Sequence, residues 1–288
     1  MSLKVAIWNV EHGNAISILT PHRKRILKDL GANFNTQFSP VTHLKTRYKV
    51  KSIDALIITH PHRDHIDDIT SFVEHGFHNE MRHFVRPMKI DRKQLTEYLT
   101  SYKKEVREKD QAKYDHYFDL HENWPNTYIT KSSPLHPSSN GGVSFEFFKP
   151  YKSGISNINN HSVVTIMSYG DKKIMLTGDN EGPSWKELLS NPKFRNAIQG
   201  VDIFVASHHG RPNGFHENLF TYFKPKLVII SDGPGDHRSA IKQYYPFVDH
   251  PYDINVGNKR KKRKCLITRD DNAIIITIKD NTIIINTR

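Results

Sequence analysis

The chain has 288 residues, 25% charged and 36% hydrophobic, with a formal net charge of +12. Its length suffices for a sizeable core, no apolar run reaches the length of a membrane span, and the N-terminus turns polar too early for a secretory signal. One cysteine, Cys265, excludes an internal disulfide and fits the reducing cytoplasm, while the positive surplus attracts polyanions, nucleic acid above all.

In chain order, residues 3–9 and 15–20 predict two strands joined at Glu11-His12-Gly13-Asn14, with Gly13 supplying the tight turn. Arg25-Ile26-Leu27-Lys28-Asp29-Leu30-Gly31 predicts a third strand ending on an acid and a glycine. Residues 32–52 are polar and basic and read as a loop with a β-ribbon. Residues 53–59 have the length and β-branching of a buried strand. Residues 67–73 read as a helix with acids at its N-terminal end, where the helix dipole favours negative charge. Over 91–124, Leu95, Tyr98, Leu99, Tyr102 and Val106 recur at helical spacing among charged residues, which predicts an amphipathic helical insertion. Residues 131–142 read as loop. The second half predicts strands at 143–148, 162–169, 172–177, 201–206 and 226–231, with helices at 183–198 and 238–245. A basic run, Lys259-Arg260-Lys261-Lys262-Arg263-Lys264, precedes a strand-rich C-terminal hairpin over 265–288. Strands then helices, twice, is the order expected of two sheets faced by helices on both sides.

The strand at 53–59 runs into His60-Pro61-His62-Arg63-Asp64-His65. Side chains two apart on extended backbone share a face, so His60 and His62 can converge on one cation. The turn that follows can swing Asp64 and His65 towards a second. Imidazoles suit zinc, and a site without thiolate also suits a harder ion such as manganese. Two further strand ends carry residues of ligand type. In Thr177-Gly178-Asp179 the two oxygens of Asp179 can bridge cations about 3.5–4 Å apart, and Ser207-His208-His209-Gly210 adds a histidine pair. An exposed histidine-rich turn is the plainer alternative in a chain with 18 His, but strand, spacing and downstream partners agree on a metal site.

These motifs, in this order, resemble those of the metallo-β-lactamase fold metallohydrolases, and among them the soluble hydrolase domain of ComEC-type DNA-uptake competence proteins. Val10-Glu11-His12-Gly13-Asn14-Ala15 is similar to that group's first turn, and Asn159-Asn160-His161-Ser162 to its N-x-x-S segment. The resemblance implies a single-domain αββα four-layer sandwich with the site at one edge. It implies two divalent cations, Zn2+ by default with Mn2+ as rival. His60, His62 and Asp179 would hold one; Asp64, His65, Asp179 and one of His208 or His209 would hold the other. His208, first off its strand, is the preferred ligand, with His209 beside it near the substrate. Asp29 would buttress the metal loop from behind, Asp64 would orient the nucleophile, and His161 and His237 would neutralise the leaving group. Asp67-Asp68 stands where relatives carry a glycine pair, and Asn14 where they carry an acid.

The function expected is a metal-dependent phosphodiesterase or nuclease acting on DNA through a hydroxide held between the two cations. Lys259, Arg260, Lys261, Lys262, Arg263 and Lys264 would contact phosphates, with a solvated hairpin loop as the competing reading of that run. The alternative function is a small-molecule hydrolase of the same fold, cleaving a cyclic nucleotide, a phosphocholine ester or a lactone.

Overall fold

The computed structural model describes residues 1–288 except 88–89, 91, 94, 98–107, 126–127, 154–156, 235–240 and 288. Its strands are β1 (Ser2–Ile7), β2 (Ala15–Leu19), β3 (Arg25–Leu30), β4 (Ala55–Ile57), β5 (His83–Val85), β6 (Ser144–Phe148), β7 (Val164–Tyr169), β8 (Lys172–Leu176), β9 (Ile203–Val205), β10 (Leu227–Ile230), β11 (Tyr252–Val256), β12 (Lys259–Arg263), β13 (Cys265–Ile267), β14 (Ile274–Lys279) and β15 (Thr282–Thr287). They form a nine-stranded sheet, β12-β11-β15-β14-β1-β2-β3-β4-β5, and a six-stranded sheet, β13-β10-β9-β8-β7-β6.

Three apolar layers hold these sheets together. Alternate residues of β1, β14 and β15, such as Val5, Ile276 and Ile285, meet Ile174, Val205 and Ile229 of the second sheet. The opposite faces pack against helices. Leu27, Leu56 and Ile58 meet Phe72, Phe77 and Tyr117 on one side, and Met175, Phe204 and Val228 meet Trp185, Phe194 and Phe220 on the other. Strands β4, β9 and β10 are buried on both faces, hence their unbroken apolar runs. This is the expected αββα sandwich.

The pairing register aligns one edge of the first sheet. Ile57 pairs with Lys28, Lys28 with Ile16, Ile16 with Ile7 and Ile7 with Ile274. The same row continues through Thr287 and Val256 to Lys259. The metal loop, three residues past Ile57, and the tip of the β11–β12 hairpin therefore share an edge. Seven strand steps separate β4 from β12, about 34 Å along the sheet at ~4.8 Å per strand.

Several expectations need correction. Residues 32–52 contain a helix, Pro40–Thr46, capped by the Ser39 side chain accepting from Thr42 N–H, and only an isolated bridge, Asn33 to Phe38, stands for the ribbon. The helix expected over 67–73 is two short ones, Arg63–Ile66 and Ile69–Glu74. Within the insertion, the helix Glu108–Asn123 buries Tyr114, Tyr117, Phe118 and Leu120. Leu95 is buried as expected, whereas Tyr98, Leu99, Tyr102 and Val106 lie outside the described residues. The basic run is an edge strand, because Ile254 and its neighbours in β11 offer it a full antiparallel partner. Finally, residues 265–288 are not one hairpin. Fully apolar Cys265–Ile267 joins the second sheet beside β10, and the hairpin proper is Ile274–Thr287.

Candidate metal centre

The site is built where β3, β4, β8 and β9 end on the same side. Beyond β4, Thr59 is fully buried and acts as a hub. Its N–H donates to Asp29 Oδ1 (2.7 Å), and its hydroxyl lies within 3.2 Å of Asp29, His60 Nδ1 and His65 Nδ1. Asp29, in the left-handed region at φ 55°, also accepts from Asn14 Nδ2 (3.0 Å). Lys28, buried beside it, donates to the carbonyl of Thr177 at 2.5 Å and so ties the end of β3 to the end of β8 beneath the site. Only glycine fits at 178. A Cβ there would stand 2.6 Å from Thr59 Cβ and 2.7 Å from Ser162 Oγ.

Two groups of ligand-type atoms result, each with its members within 4.8 Å of one another: His60, His62 and Asp179, and Asp64, His65, Asp179 and His209. Asp179 belongs to both, as a bridging carboxylate must. His209 Nε2 lies 3.1 Å from Asp64 and 3.5 Å from Asp179, and His65 Nε2 lies 3.1 Å from Asp179. On the far side of each ring an oxygen partners Nδ1. His65 faces Asp29 (2.9 Å), His209 the carbonyl of Ser231 (3.0 Å), and His60 the hydroxyls of Thr59 and Ser162 (3.2 Å each). A carboxylate or carbonyl at Nδ1 demands N–H there, which makes the inward-facing Nε2 the nitrogen available to a cation. His60 Nε2 is buried with no hydrogen-bond partner, and the buried Nε2 atoms of His65 and His209 face the carboxylates of Asp179 and Asp64. A buried polar atom is rarely left without a partner. Three imidazole nitrogens converging on carboxylates fit divalent cations.

The electrostatics agree. Burial lowers the His60 pKa well below the usual histidine value, and that of His62 to about 4. For His65 and His209 burial acts in the same direction but loses to the acids. Asp179, Asp29 and Asp64 push His65 well up, and Asp179 with Asp64 pushes His209 to about 10. The pocket thus collects positive charge, and without a cation protons on His65 and His209 supply it.

The chain is similar to metallo-β-lactamase fold proteins. It is 22% identical to ComE operon protein 3 of Bacillus subtilis over 245 residues, which cover 80% of this chain and 28% of that protein. It is 27% identical to Recombination protein 2 of Haemophilus influenzae over 92 residues, covering 32% of this chain and 11% of that protein. The chain thus spans less than a third of either relative. The metallo-β-lactamase fold protein YhfI from Bacillus subtilis aligns with a TM-score of 0.48 at 10% identity, over 95% of this chain and 99% of that one. No protein-family model matches the chain.

Of the two histidines after β9, His209 and not the expected His208 lies within the ligand-type groups. His208 and His209 both take left-handed backbone (φ 50° and 53°), a costly conformation that turns His209 inward. His208 stands aside, with Nδ1 3.3 Å from Glu181 Oε1 and Nε2 3.8 Å from Asp179. His161 is buried at the end of a 3-10 turn and belongs to neither ligand group. His237 lies outside the described residues. Asp67 and Asp68, in place of the glycine pair, point away from the ligands. Asp67 meets Lys113 Nζ at 2.6 Å, and Asp68 accepts from Ser39 Oγ and Val41 N–H. Burial pushes both carboxyls up to about 6.

Four site residues escaped sequence reasoning. Thr59 and Ser162 support the rings. Ser162 Oγ also accepts from Asp179 N–H (2.8 Å). Lys28 is the sheet-to-sheet tie. Glu181 is gripped by Asn157, Asn159 and Asn213, whose amides donate to it at 2.8–3.0 Å. The sequence signals available were Thr59 directly before the histidines and the serine of the N-x-x-S segment.

Proposed function

We propose that this chain is a metal-dependent phosphodiesterase that cleaves DNA. His60, His62 and Asp179 would hold one divalent cation, and Asp64, His65, Asp179 and His209 the other. The observation that carries this reading is the convergence of three buried Nε2 atoms, those of His60, His65 and His209, around Asp179, the carboxylate that both ligand groups share. When bound, such cations lower the pKa of water and offset the charge of a phosphoryl group. Asp64, with 32% of its side chain exposed, faces solvent and orients the attacking water. His208, 3.3 Å from Glu181, and Arg211, 3.4 Å from His208 Nε2, stand beside the ligand groups and serve the departing oxygen. Zinc suits the histidines. Manganese is the rival, since Cys265 is buried in the outer core of the second sheet and offers no thiolate.

Three features support DNA as substrate: the +12 charge, the likeness to one relative named for recombination and one for the ComE operon, and the shared edge. The span of about 34 Å between metal loop and basic strand equals roughly ten base pairs at ~3.4 Å each. A duplex lying along that edge would meet Lys259 and Arg260. The lone, buried cysteine supports a cytoplasmic setting.

The test is to incubate metal-supplemented protein with supercoiled plasmid and, separately, with a cyclic nucleotide. Plasmid cleavage abolished by chelator is expected. Hydrolysis of the cyclic nucleotide with intact plasmid would transfer the assignment to small phosphodiesters.

A further inference from the structure

Phe34 is 54% exposed, although burying a phenyl ring is among the larger gains available to a fold. The loop that carries it is not loose. Asn33 and Phe38 exchange both backbone hydrogen bonds at 2.9 Å, and Asn33 Oδ1 accepts from Thr36 N–H. Phe38 is seated on Trp8 and His43. The loop is closed and anchored without Phe34, whose ring remains at the tip.

That tip is fixed beside the metal loop. Asn35 donates to Glu11 Oε2 at 2.6 Å, and in the same first turn Asn14 N–H donates to the carbonyl of Asp64. Gly13 packs so closely that a Cβ would lie 2.6 Å from that carbonyl. Two cations flank the ring. The guanidinium of Arg63, the residue before Asp64, is 5.4 Å from the centroid, and Lys113 Nζ is 4.7 Å from it. Acids steady both: Asp67 lies 3.4 Å from Arg63 Nε and 2.6 Å from Lys113 Nζ, while Asp110 lies 3.6 Å and 3.5 Å away. Two acids against two bases leave little net charge, so the patch is no phosphate trap. What distinguishes it is a half-exposed aromatic ring on a closed loop, with Arg63 and Lys113 set over the ring. Exposed aromatic rings and arginine planes are where bases stack irrespective of sequence.

We propose that Phe34, steadied by Arg63 and Lys113, is the stacking platform for a nucleobase adjoining the phosphodiester engaged at Asp64, an inference that rests on the phosphodiesterase reading above. It assigns a role to the insertion, whose Lys113 braces the platform, and it favours a strand splayed open at the point of cleavage.

The test is equilibrium binding of a single-stranded octanucleotide, its fully abasic counterpart and thymidine monophosphate to wild type, Phe34→Ala and Phe34→Trp. Stacking removed by alanine should weaken the intact octanucleotide by about 5- to 150-fold, while abasic binding shifts by no more than about twofold. Phe34→Trp should retain tight binding, and its added indole emission, taken as the difference from wild type, should be quenched by the intact strand. Equal losses on intact and abasic strands, or unquenched Trp emission, would overturn the platform. The same Phe34 dependence with thymidine monophosphate alone would make a free nucleotide the occupant and still support a base subsite. If wild type cleaves DNA while all three proteins bind the octanucleotide alike, the platform fails and the nuclease reading stands. If wild type neither binds nor cleaves any of these ligands, both fail.

Discussion

The two ends of one register row make an instructive contrast. Near Ile57, the rings of His60, His65 and His209 are held from behind by oxygen partners and are buried. Near Lys259, four consecutive basic residues are exposed, and among the described residues the ion pair they make within 4 Å is Arg260 with Asp253, at 3.9 Å. Chemistry on a scissile bond requires groups fixed before the reaction begins. Attraction of a polyanion requires only charge at the right distance. Changes at the first end should therefore act in steps of orders of magnitude, and changes at the second should be graded.

The largest effect should come from the histidine pair. His209→Ala should lower DNA cleavage by about a thousandfold or more, as expected when a two-metal clamp is broken. His208→Ala should retain both metals and lose activity less severely, as measured by metal analysis alongside turnover. Metal loss in His208→Ala with full metal in His209→Ala would reverse their assignment.

The support behind the rings comes next. Asp29→Asn removes the charged partner of His65 Nδ1 and should weaken metal binding by about 10- to 100-fold, measured by competition with a chelating dye. Unchanged affinity would mean that Thr59 alone orients the ring.

The site should also respond to pH. His209, raised to about 10, and His65, also raised, hold protons at neutral pH in metal-free protein, and a metal must displace them. Affinity should therefore rise with pH between 6 and 8, about tenfold per unit for each proton released. Titration calorimetry in buffers of different ionisation enthalpy counts those protons. Affinity that falls or stays flat over this range would contradict the charge balance described.

The smallest effect belongs to the basic strand. Changing Lys259, Arg260, Lys261 and Lys262 to Ser should flatten the slope of log K against log salt by about 0.9 for each phosphate that is no longer neutralised. Duplexes shorter than about ten base pairs, unable to span the edge, should not register the change. An unchanged slope on long DNA would assign the strand to solvent.

The contrast also explains what was legible in the sequence. His60, His62, Asp64, His65 and Asp179 stand out because ligand types cluster where buried strands end. The choice between His208 and His209 was not legible, since it rests on two successive left-handed residues that the sequence marks only by the following Gly210. Lys28 and Glu181 were hidden because their partners lie far along the chain: Lys28 meets Thr177, and Glu181 meets Asn157 and Asn213. Such pairings exist only once the two sheets are stacked. The basic run was visible as charge but not as a strand, because its pairing partner β11 carries the apolar signal instead. The crossing of Cys265–Ile267 to the second sheet could have been suspected from three successive apolar residues, the mark of a strand buried on both faces.

The central claim is that Asp179 joins two cation sites into one centre. Elemental analysis of wild type and Asp179→Ala, each equilibrated with zinc and then freed of excess metal, tests it most directly. Two zinc ions per chain are expected in wild type and fewer than one in Asp179→Ala, with unfolding temperatures measured without metal confirming that both are folded. Retention of two zinc ions by folded Asp179→Ala would contradict the bridged centre.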